Sequence, residues 1–241
     1  MNRLSDMTYK QARSFEEVLL PIGSTEQHGL HLPLGTDSLI AEAVCDELAS
    51  RKRMAVCPTL TLGFSGEHAD FPATIDLGMN VFLALVEKTV ACLGRWFKYI
   101  YILNFHGGNS SALEALVKEM GRPNVSLIHF WRVMHDTMLA MTDQRKLGME
   151  HAGEFETSLI LFAKPSLVLE AVDKGPETSI SIKGGRAYLK GWRSEELTSV
   201  GSFGGAQLAS AEKGRAFFEA SIVKLAEIVD EVRAGSSKGS S

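Results

Sequence analysis

The sequence predicts an α/β fold in which helices cover both faces of a mostly parallel β-sheet. Short apolar segments typical of buried strands alternate along the chain with longer segments of helical periodicity. Polar clusters stand directly after two of these strands, at the edge where parallel sheets form their binding sites. With 241 residues, 45% of them hydrophobic, the chain can bury one sizeable core. We predict one domain over residues 1–234 and a flexible, glycine- and serine-rich tail over 235–241.

The first half of the chain contains two predicted strand–helix units. Residues 18–23 are apolar and end in a turn, which indicates a buried strand. Apolar residues then recur at helical spacing over 37–50. A second strand is predicted over 54–58, and a polar loop over 63–80 separates it from another helical segment over 81–97. This order predicts right-handed crossovers between parallel strands.

The second half continues the alternation. Residues 99–104 are apolar, aromatic and β-branched, which makes them the clearest strand in the sequence. They lead into a glycine turn, after which a helix is expected to begin near Ser110. A further strand is predicted over 125–131, and helices are predicted over 154–162 and 207–232.

Charge and composition argue against several classes of partner. Charged residues make up 22% of the chain and the net charge is −4, which leaves no basic surface for nucleic acid. No apolar run approaches the roughly 20 residues that span a bilayer, and the first residues lack the apolar core of a secretory signal. We therefore expect a cytoplasmic protein without a membrane partner. Cys45, Cys57 and Cys92 lie far apart and are expected to be small buried hydrophobic residues.

Glu26, His28 and Asp37 form the first candidate metal-binding cluster. Glu26 and His28 are separated by one residue, so an extended backbone would direct both side chains to the same face. Asp37 stands at the start of the next predicted helix, where an N-cap is the alternative role. Carboxylates and imidazoles together suit divalent transition metals. Because the three residues occur together beyond one strand, we favour metal ligation.

His106 stands in a glycine turn beyond the clearest strand. Gly107 and Gly108 permit close approach of a ligand to the backbone. With Asn109, this turn could also bind an anionic or oxyanion group of a substrate through its N–H groups. The alternative is a glycine turn with an incidental histidine.

His151 and Glu156 flank the start of a predicted helix. Glu156 is expected to face inward, near Leu159 and Ile160. The alternative for Glu154 is a solvated acid that the helix dipole favours, and spacing alone does not rank the two glutamates as ligands.

The polar loop over 63–74 is the candidate substrate-binding loop. Ser65 and Glu67 are its predicted substrate contacts, and His68 lies nearby; an ordinary polar loop is the alternative. His31 is expected to have either a structural role or a hydrogen bond to a metal ligand. The glycine-rich segment over 173–202 is interpreted as an excursion that could close over the site.

These residues resemble the creatininase (creatinine amidohydrolase) family. The matching stretches are PIGSTEQHGLHLPLGTD over 21–37, the loop over 63–75, HGGN over 106–109 and HAGEFETS over 151–158, with a weaker echo over 201–214. The resemblance implies a three-layer α/β/α sandwich, a homo-oligomer that is usually a hexamer, and two divalent metal ions. Carried onto this chain, it places one ion between Glu26, Asp37 and His106. It places the other between His28, Asp37 and a further glutamate.

This chain departs from the creatinine-hydrolysing members at one position. In those members the further glutamate lies two residues beyond the histidine matching His106, where this chain has Gly108. The resemblance to members with a His-Gly-Gly-Asn turn implies that Glu156 takes its place. This favours relatives such as the formamidopyrimidine deformylases and the mycofactocin peptide-maturation hydrolase. Ala73 also replaces a glycine that is common in the family's loop.

The resemblance implies a metal-dependent amidohydrolase that cleaves an amide or formamide C–N bond of a small cyclic or nucleotide-like substrate. Two ions of zinc, manganese or iron would share a bridging water, and His151 would protonate the leaving nitrogen, with Glu156 as the second candidate catalytic residue. The alternatives are creatinine hydrolysis itself, peptide maturation, and a non-catalytic metal- or phosphate-binding α/β protein. The sequence contains neither Gly-x-Gly-x-x-Gly nor Gly-Lys-Ser/Thr, which disfavours nucleotide-loop binding.

Overall fold

A four-stranded parallel sheet forms the centre of the computed structural model, which describes residues 2–142, 150–169, 194–196 and 198–238. The strands are β1 (Glu17–Ile22), β2 (Ala55–Val56), β3 (Tyr99–Asn104) and β4 (Val125–His129). Their order in the sheet is β2-β1-β3-β4, and each neighbouring pair is parallel. The carboxyl ends of β1 and β3 therefore lie side by side, with Ile22 paired to Asn104.

Helices connect these strands and follow them. They are α1 (Tyr9–Ala12), α2 (Thr36–Lys52), α3 (Gly78–Leu93), α4 (Ser110–Met120), α5 (Phe130–Val133), α6 (His135–Met141), α7 (Glu154–Ala163) and α8 (Ala211–Lys238). Short 3₁₀ turns lie at Leu4–Asp6, Gly66–His68, Pro165–Leu167, Ser194–Glu196 and Ala206–Leu208. Of the predicted excursion over 173–202, only residues 194–196 and 198–202 are among those described.

The sheet separates two hydrophobic clusters because successive strand residues point to opposite faces. In β1, Leu19 packs into the cluster that includes residues of α2, α7 and α8. Its neighbour Leu20 packs into the cluster that includes residues of α3 and α4. Both leucines are fully buried. The arrangement is a three-layer α/β/α sandwich, which confirms the predicted fold.

Two strands are shorter than the sequence predicted, and the helix predicted over 81–97 is α3, Gly78–Leu93. β2 contains only Ala55 and Val56. β4 ends at His129, and Phe130 and Trp131 begin α5 instead of extending the strand. Aromatic side chains suit a strand and a buried helical turn equally well, so the apolar pattern did not distinguish the two.

The closing helix starts later and ends later than predicted. Its first residue is Ala211, because the Ser210 hydroxyl accepts a hydrogen bond from the Lys213 N–H at 3.1 Å and so caps the helix. The helix continues to Lys238, into the segment predicted as a flexible tail. Gly235 lies inside it with open space around its Cα, so neither a turn nor a close contact ends the helix there.

The three cysteines do not share one environment. Cys45 and Cys57 are buried, as expected, whereas Cys92 on α3 is exposed. The prediction for Cys92 was wrong because its helix presents that position to the outside of the sandwich. Among the described residues, no helix combines the length and the hydrophobicity needed to cross a bilayer.

Ala73 has a left-handed backbone conformation, with φ of +64°. Side chains with a Cβ disfavour this region, whereas glycine adopts it freely. We expect Ala73→Gly to raise the free energy of unfolding by about 0.5–1 kcal/mol, measured by urea denaturation. Ala43→Gly, in the middle of α2, should lower it by a similar amount. A destabilised Ala73→Gly variant would contradict the assigned backbone conformation.

Candidate metal centre

Five predicted metal ligands meet at the carboxyl edge of the sheet. Glu26 and His28 follow β1, Asp37 lies in the first turn of α2, His106 follows β3, and Glu156 lies in the first turn of α7. All five side chains are buried, although each of them is an ionisable carboxyl or imidazole group. Such burial requires compensating partners.

The ligand atoms form groups of the size that holds a metal ion. Glu26, Asp37 and His106 place one ligand atom each within 4.8 Å of one another, and His28, Asp37 and Glu156 do the same. Asp37 belongs to both groups: its Oδ1 lies 3.3 Å from His28 Nε2, and its Oδ2 lies 3.3 Å from His106 Nδ1. A third group, which the sequence did not predict, joins Glu26 and His28 to His151.

The Glu26 carboxylate indicates that this cluster suits a cation. Both of its oxygens are buried, and neither accepts a hydrogen bond from any described residue. His106 Nδ1 is 3.2 Å from Oε1, and His68 Nε2 is 3.4 Å from it. A buried carboxylate without hydrogen bonds is costly unless a cation compensates it. The donor set of carboxylate oxygens and imidazole nitrogens therefore fits divalent metal ions.

Neighbouring groups orient the ligands. The Ser24 hydroxyl donates to Asp37 Oδ2 at 2.7 Å, and the Ala152 N–H donates to Glu156 Oε2 at 2.5 Å. His28 Nδ1 lies 3.1 Å from the Glu26 carbonyl oxygen, which places the proton on Nδ1 and leaves Nε2 free to bind a metal. Asp37 is not the N-cap of α2, because Gly35 occupies that position.

The electrostatics of the cluster pair imidazolium with carboxylate. Burial alone would lower the pKa of His28, but the Asp37 carboxylate outweighs it and raises that pKa to about 9. Burial also opposes ionisation of Asp37, yet His28 and His106 hold the pKa of Asp37 well below its usual range. Burial raises the pKa of Glu156 to about 7. A metal ion that binds to this cluster must therefore displace protons from it.

Metal binding should release protons. Because the pKa of His28 is raised to about 9, its ring is protonated at pH 7 and must lose that proton to ligate a metal. The protonated His28 ring stabilises the folded protein below about pH 6.5, and this stabilisation is lost as the pH rises through 9. Because the proton competes with the metal for the same ring, the affinity for Mn²⁺ should increase over the same pH interval. Titration calorimetry at pH 7 in two buffers of different ionisation enthalpy measures the proton release. Binding heats that are identical in both buffers would contradict it.

His151 is held by Gln27 above the ligand cluster. Its Nε2 lies 2.7 Å from the Gln27 carbonyl oxygen, an acceptor only, so Nε2 carries the proton. Nδ1 then presents its lone pair towards Glu26, 3.9 Å away. Burial and the neighbouring His28 keep the pKa of His151 well below its usual value. His151 is therefore a neutral imidazole that can accept a proton.

His68 belongs to the site more closely than the sequence suggested. Its Nδ1 accepts from the Ser194 hydroxyl at 2.7 Å and from the Gln27 side-chain amide at 2.9 Å. Burial, together with His151, lowers the pKa of His68 to about 3. Glu150, which the sequence analysis did not single out, lines the same cavity, and burial raises its pKa to about 8. In the sequence, the only indication that Glu150 belongs to the site was that it directly precedes His151.

Glu154 and Glu156 have different roles. The carboxylate of Glu154 is buried, accepts from the Thr142 hydroxyl at 2.5 Å and forms an ion pair with Lys213. Glu154 is therefore not a solvated acid, and its ion pair with Lys213 links α7 to α8. Glu156 is the member of this pair that joins the ligand groups. His31 supports the same helix, since its Nε2 lies 2.9 Å from the hydroxyl of Thr157.

The predicted substrate contacts divide into two sets. Glu67, Gly107 and Gly108 line the cavity beside the ligand cluster. Ser65 and Asn109 are fully buried behind its wall. The Asn109 side chain accepts from the Phe64 N–H at 2.9 Å and donates to the Gly23 carbonyl at 3.1 Å, so it holds the loop against the end of β1.

Position 108 has no space for a side chain. A Cβ there would lie 2.3 Å from Glu67 Oε1, 2.5 Å from His106 Nε2 and 2.6 Å from the Phe64 carbonyl oxygen. These distances are far below van der Waals contact. A glutamate at this position, as in the creatinine-hydrolysing pattern, would therefore displace His106 or the loop over 63–74.

A cavity of about 940 Å³ opens over the cluster. Its acidic side comprises Glu26, Asp37, Glu67, Glu150 and Glu156, and its other walls include Phe64, Trp131, Arg132, His135, Met138 and Phe203. This volume is near the upper end of pockets that bind drug-sized molecules, about 300–1,000 Å³. The candidate metal centre thus lies at the base of a space larger than a single small ring requires.

Comparison with known proteins agrees with this geometry. The family model for creatininase, described as creatinine amidohydrolase, matches residues 5–229. A mycofactocin precursor peptide peptidase of Mycobacterium ulcerans (strain Agy99) is 31% identical over 250 residues, which cover 96% of this chain and 89% of that protein. A creatinine amidohydrolase of Pseudomonas putida is 27% identical, with 89% of this chain and 88% of that protein covered.

Solved structures show the same fold. A mutant creatininase of Zn-Zn type superposes with a TM-score of 0.81 at 26% identity, covering 95% of this chain and 97% of that chain. A creatininase described with Mn also gives a TM-score of 0.81 at 26% identity, covering 95% and 98%. Zinc and manganese are thus the metals named for these two structures.

Proposed function

Since the chain belongs to the creatininase family of hydrolases, we propose that it hydrolyses an amide C–N bond with two divalent metal ions. The observation that carries this proposal is the pair of buried three-ligand groups that share Asp37. Glu26, Asp37 and His106 would hold one ion, and His28, Asp37 and Glu156 the other. Zinc, manganese and iron all suit this mixture of oxygen and nitrogen ligands. When bound, such ions lower the pKa of water and polarise a carbonyl oxygen.

The residues of the chain supply positioning and proton transfer. His151, with its proton placed on Nε2 by the Gln27 carbonyl oxygen, directs Nδ1 towards the candidate metal ligand Glu26, 3.9 Å away. From there it can take a proton from the attacking nucleophile and deliver it to the leaving nitrogen. Neutrality suits this role, because a permanently charged imidazolium could not accept the first proton. Phe203 packs against the His151 ring, with centroids 5.5 Å apart, and helps to fix its orientation.

The substrate that this site favours is an extended amide, such as a peptide, and not creatinine. Two observations support this choice. The cavity of about 940 Å³ is much larger than one small ring, and Gly108 leaves no room for the glutamate of the creatinine-hydrolysing pattern. The 31%-identical relative named as a peptide peptidase agrees with it. A formylaminopyrimidine nucleotide remains the second candidate, because its formamide carries the same type of C–N bond.

A substrate panel tests the proposal. The protein is stripped of metal with a chelator, reloaded separately with zinc, manganese or iron, and assayed with short peptides, a formylaminopyrimidine nucleotide and creatinine. We expect hydrolysis of peptides that disappears in the stripped protein and returns with at least one metal. Activity that survives complete metal removal would overturn the metal-dependent mechanism. Hydrolysis of creatinine alone would overturn the substrate assignment, and metal binding without hydrolysis of any compound would favour a non-catalytic binder.

A further inference from the structure

The cavity contains one strong cation among many acids. Of its described lining residues, five are aspartate or glutamate, and Arg132 is the only arginine or lysine. A guanidinium remains charged at every physiological pH. Among the described residues it is therefore the fixed positive charge of the cavity wall.

The fold places Arg132 one strand away from the metal ligands. Arg132 lies in α5, which follows β4 directly, and β4 is the neighbour of β3, which ends next to His106. Neighbouring strands are about 4.8 Å apart. The arginine thus belongs to the same carboxyl edge of the sheet as the candidate metal centre, on the side away from β1.

The donors of Arg132 are mostly uncommitted among the described residues. Its Nη1 forms an ion pair with Glu114 Oε1, and both side chains are about half exposed, at 60% and 48%. Exposed pairs of this kind contribute little stability, so a ligand can compete for the guanidinium. Arginine has five N–H donors arranged to bind an oxyanion with two parallel hydrogen bonds, and the pair with Glu114 uses only one edge.

Trp131 provides a rigid apolar wall next to this arginine. Its indole N–H donates to the Phe105 carbonyl oxygen at 2.7 Å, and its ring lies nearly parallel to Phe217, with centroids 6.4 Å apart. The ring is therefore fixed, and it lines the cavity without offering a polar group. A fixed aromatic face beside a guanidinium suits a substrate portion that joins an apolar group to an anion.

We infer that Arg132 binds an oxyanion of the substrate, either a carboxylate or a phosphate, while the scissile amide lies over the metal cluster. This inference rests on the proposed amide hydrolysis and specifies in addition that the substrate carries a negative charge. A peptide would present its terminal carboxylate, and a nucleotide would present its phosphate. Arg132 is thereby a specificity-determining residue, because an uncharged analogue of either substrate would lack the oxyanion that the guanidinium binds.

Two matched pairs of compounds test the inference. One pair is a short peptide with a free carboxylate and the same peptide as its terminal amide; the other is a formylaminopyrimidine nucleotide and its nucleoside. Binding to the manganese-loaded protein is measured by calorimetry, and kcat/KM is measured wherever turnover occurs. We expect the protein to prefer the anionic member of one pair. Arg132→Gln should lower the affinity for that anionic compound, and its kcat/KM, by about 10- to 100-fold. The affinity and kcat/KM for the uncharged member should change by less than about threefold in this variant. The pair that responds identifies the oxyanion.

Glu114→Gln is the matched control. It removes the same ion pair but leaves the guanidinium in place, so the preference for the anion should persist or increase. An equal loss in Glu114→Gln and Arg132→Gln would overturn the inference, since the ion pair itself would then be responsible. Equal binding of charged and uncharged members by the unchanged protein, or no binding of any compound, would also overturn it. Binding with the expected preference but without turnover would instead count against the proposed hydrolysis alone.

Discussion

Replacing Asp37 by Asn should lower the rate of amide hydrolysis by at least about 100-fold, because its carboxylate belongs both to the group with Glu26 and His106 and to the group with His28 and Glu156. The substitution keeps the shape of the side chain but removes its charge and one anionic ligand from each group. We therefore expect the bound metal per chain to fall from the two proposed ions towards zero, measured by elemental analysis after gel filtration. The rate is measured with the peptide that the unchanged protein hydrolyses best.

Glu47→Gln is a suitable control for this experiment. Glu47 lies on the same helix, α2, but pairs with Arg51 at the surface, with side chains 40% and 46% exposed. Its removal should leave metal content and rate unchanged. Circular dichroism is used to test whether the Asp37→Asn variant is folded. Full retention of both ions by folded Asp37→Asn protein would refute the shared role of this carboxylate.

Gly214→Ala should produce the largest loss of stability among the substitutions considered. A Cβ at Gly214 would lie 1.9 Å from the Ser158 carbonyl oxygen and 2.4 Å from its carbon. These are backbone atoms of α7, so they cannot move aside as the end of a side chain would. Forced separation of α7 and α8 should lower the free energy of unfolding by about 3 kcal/mol. Because α7 carries Glu156, metal affinity should fall as well.

The same helix contains its own control. Gly235 is also in α8 but has nothing near the position of a Cβ, so Gly235→Ala should stabilise the helix slightly, by up to about 1 kcal/mol. Urea denaturation of both variants tests the pair. If Gly214→Ala were as stable as the unchanged protein, the close packing of α7 against α8 would be incorrect.

The sheet was predictable because its strands have unusual local composition. β3 is apolar, β-branched and aromatic throughout, and it was assigned with its observed limits, Tyr99–Asn104. β4 was assigned too long, since Trp131 looks like a strand residue locally but packs with Phe217 in the folded chain. Such a contact joins residues distant in sequence, so no short segment contains the information.

Part of the site could be predicted, and part could not. Glu154 and Glu156 stand two positions apart on a helix, so they project in directions about 200° apart. Sequence periodicity could not decide which of them joins the candidate ligand groups, because both are buried. The resemblance to a known family indicated Glu156, and Glu156 lies in a candidate ligand group with His28 and Asp37. His68 lies in a 3₁₀ turn, where no periodic pattern exists to orient a side chain.

The order of the ligands along the chain has a consequence for biosynthesis. Glu26, Asp37 and His106 all precede α4, whereas Glu156 lies beyond α6. A growing polypeptide therefore completes one set of ligands well before the other has left the ribosome. The group that includes Glu156 can form only after α7 has docked against α2.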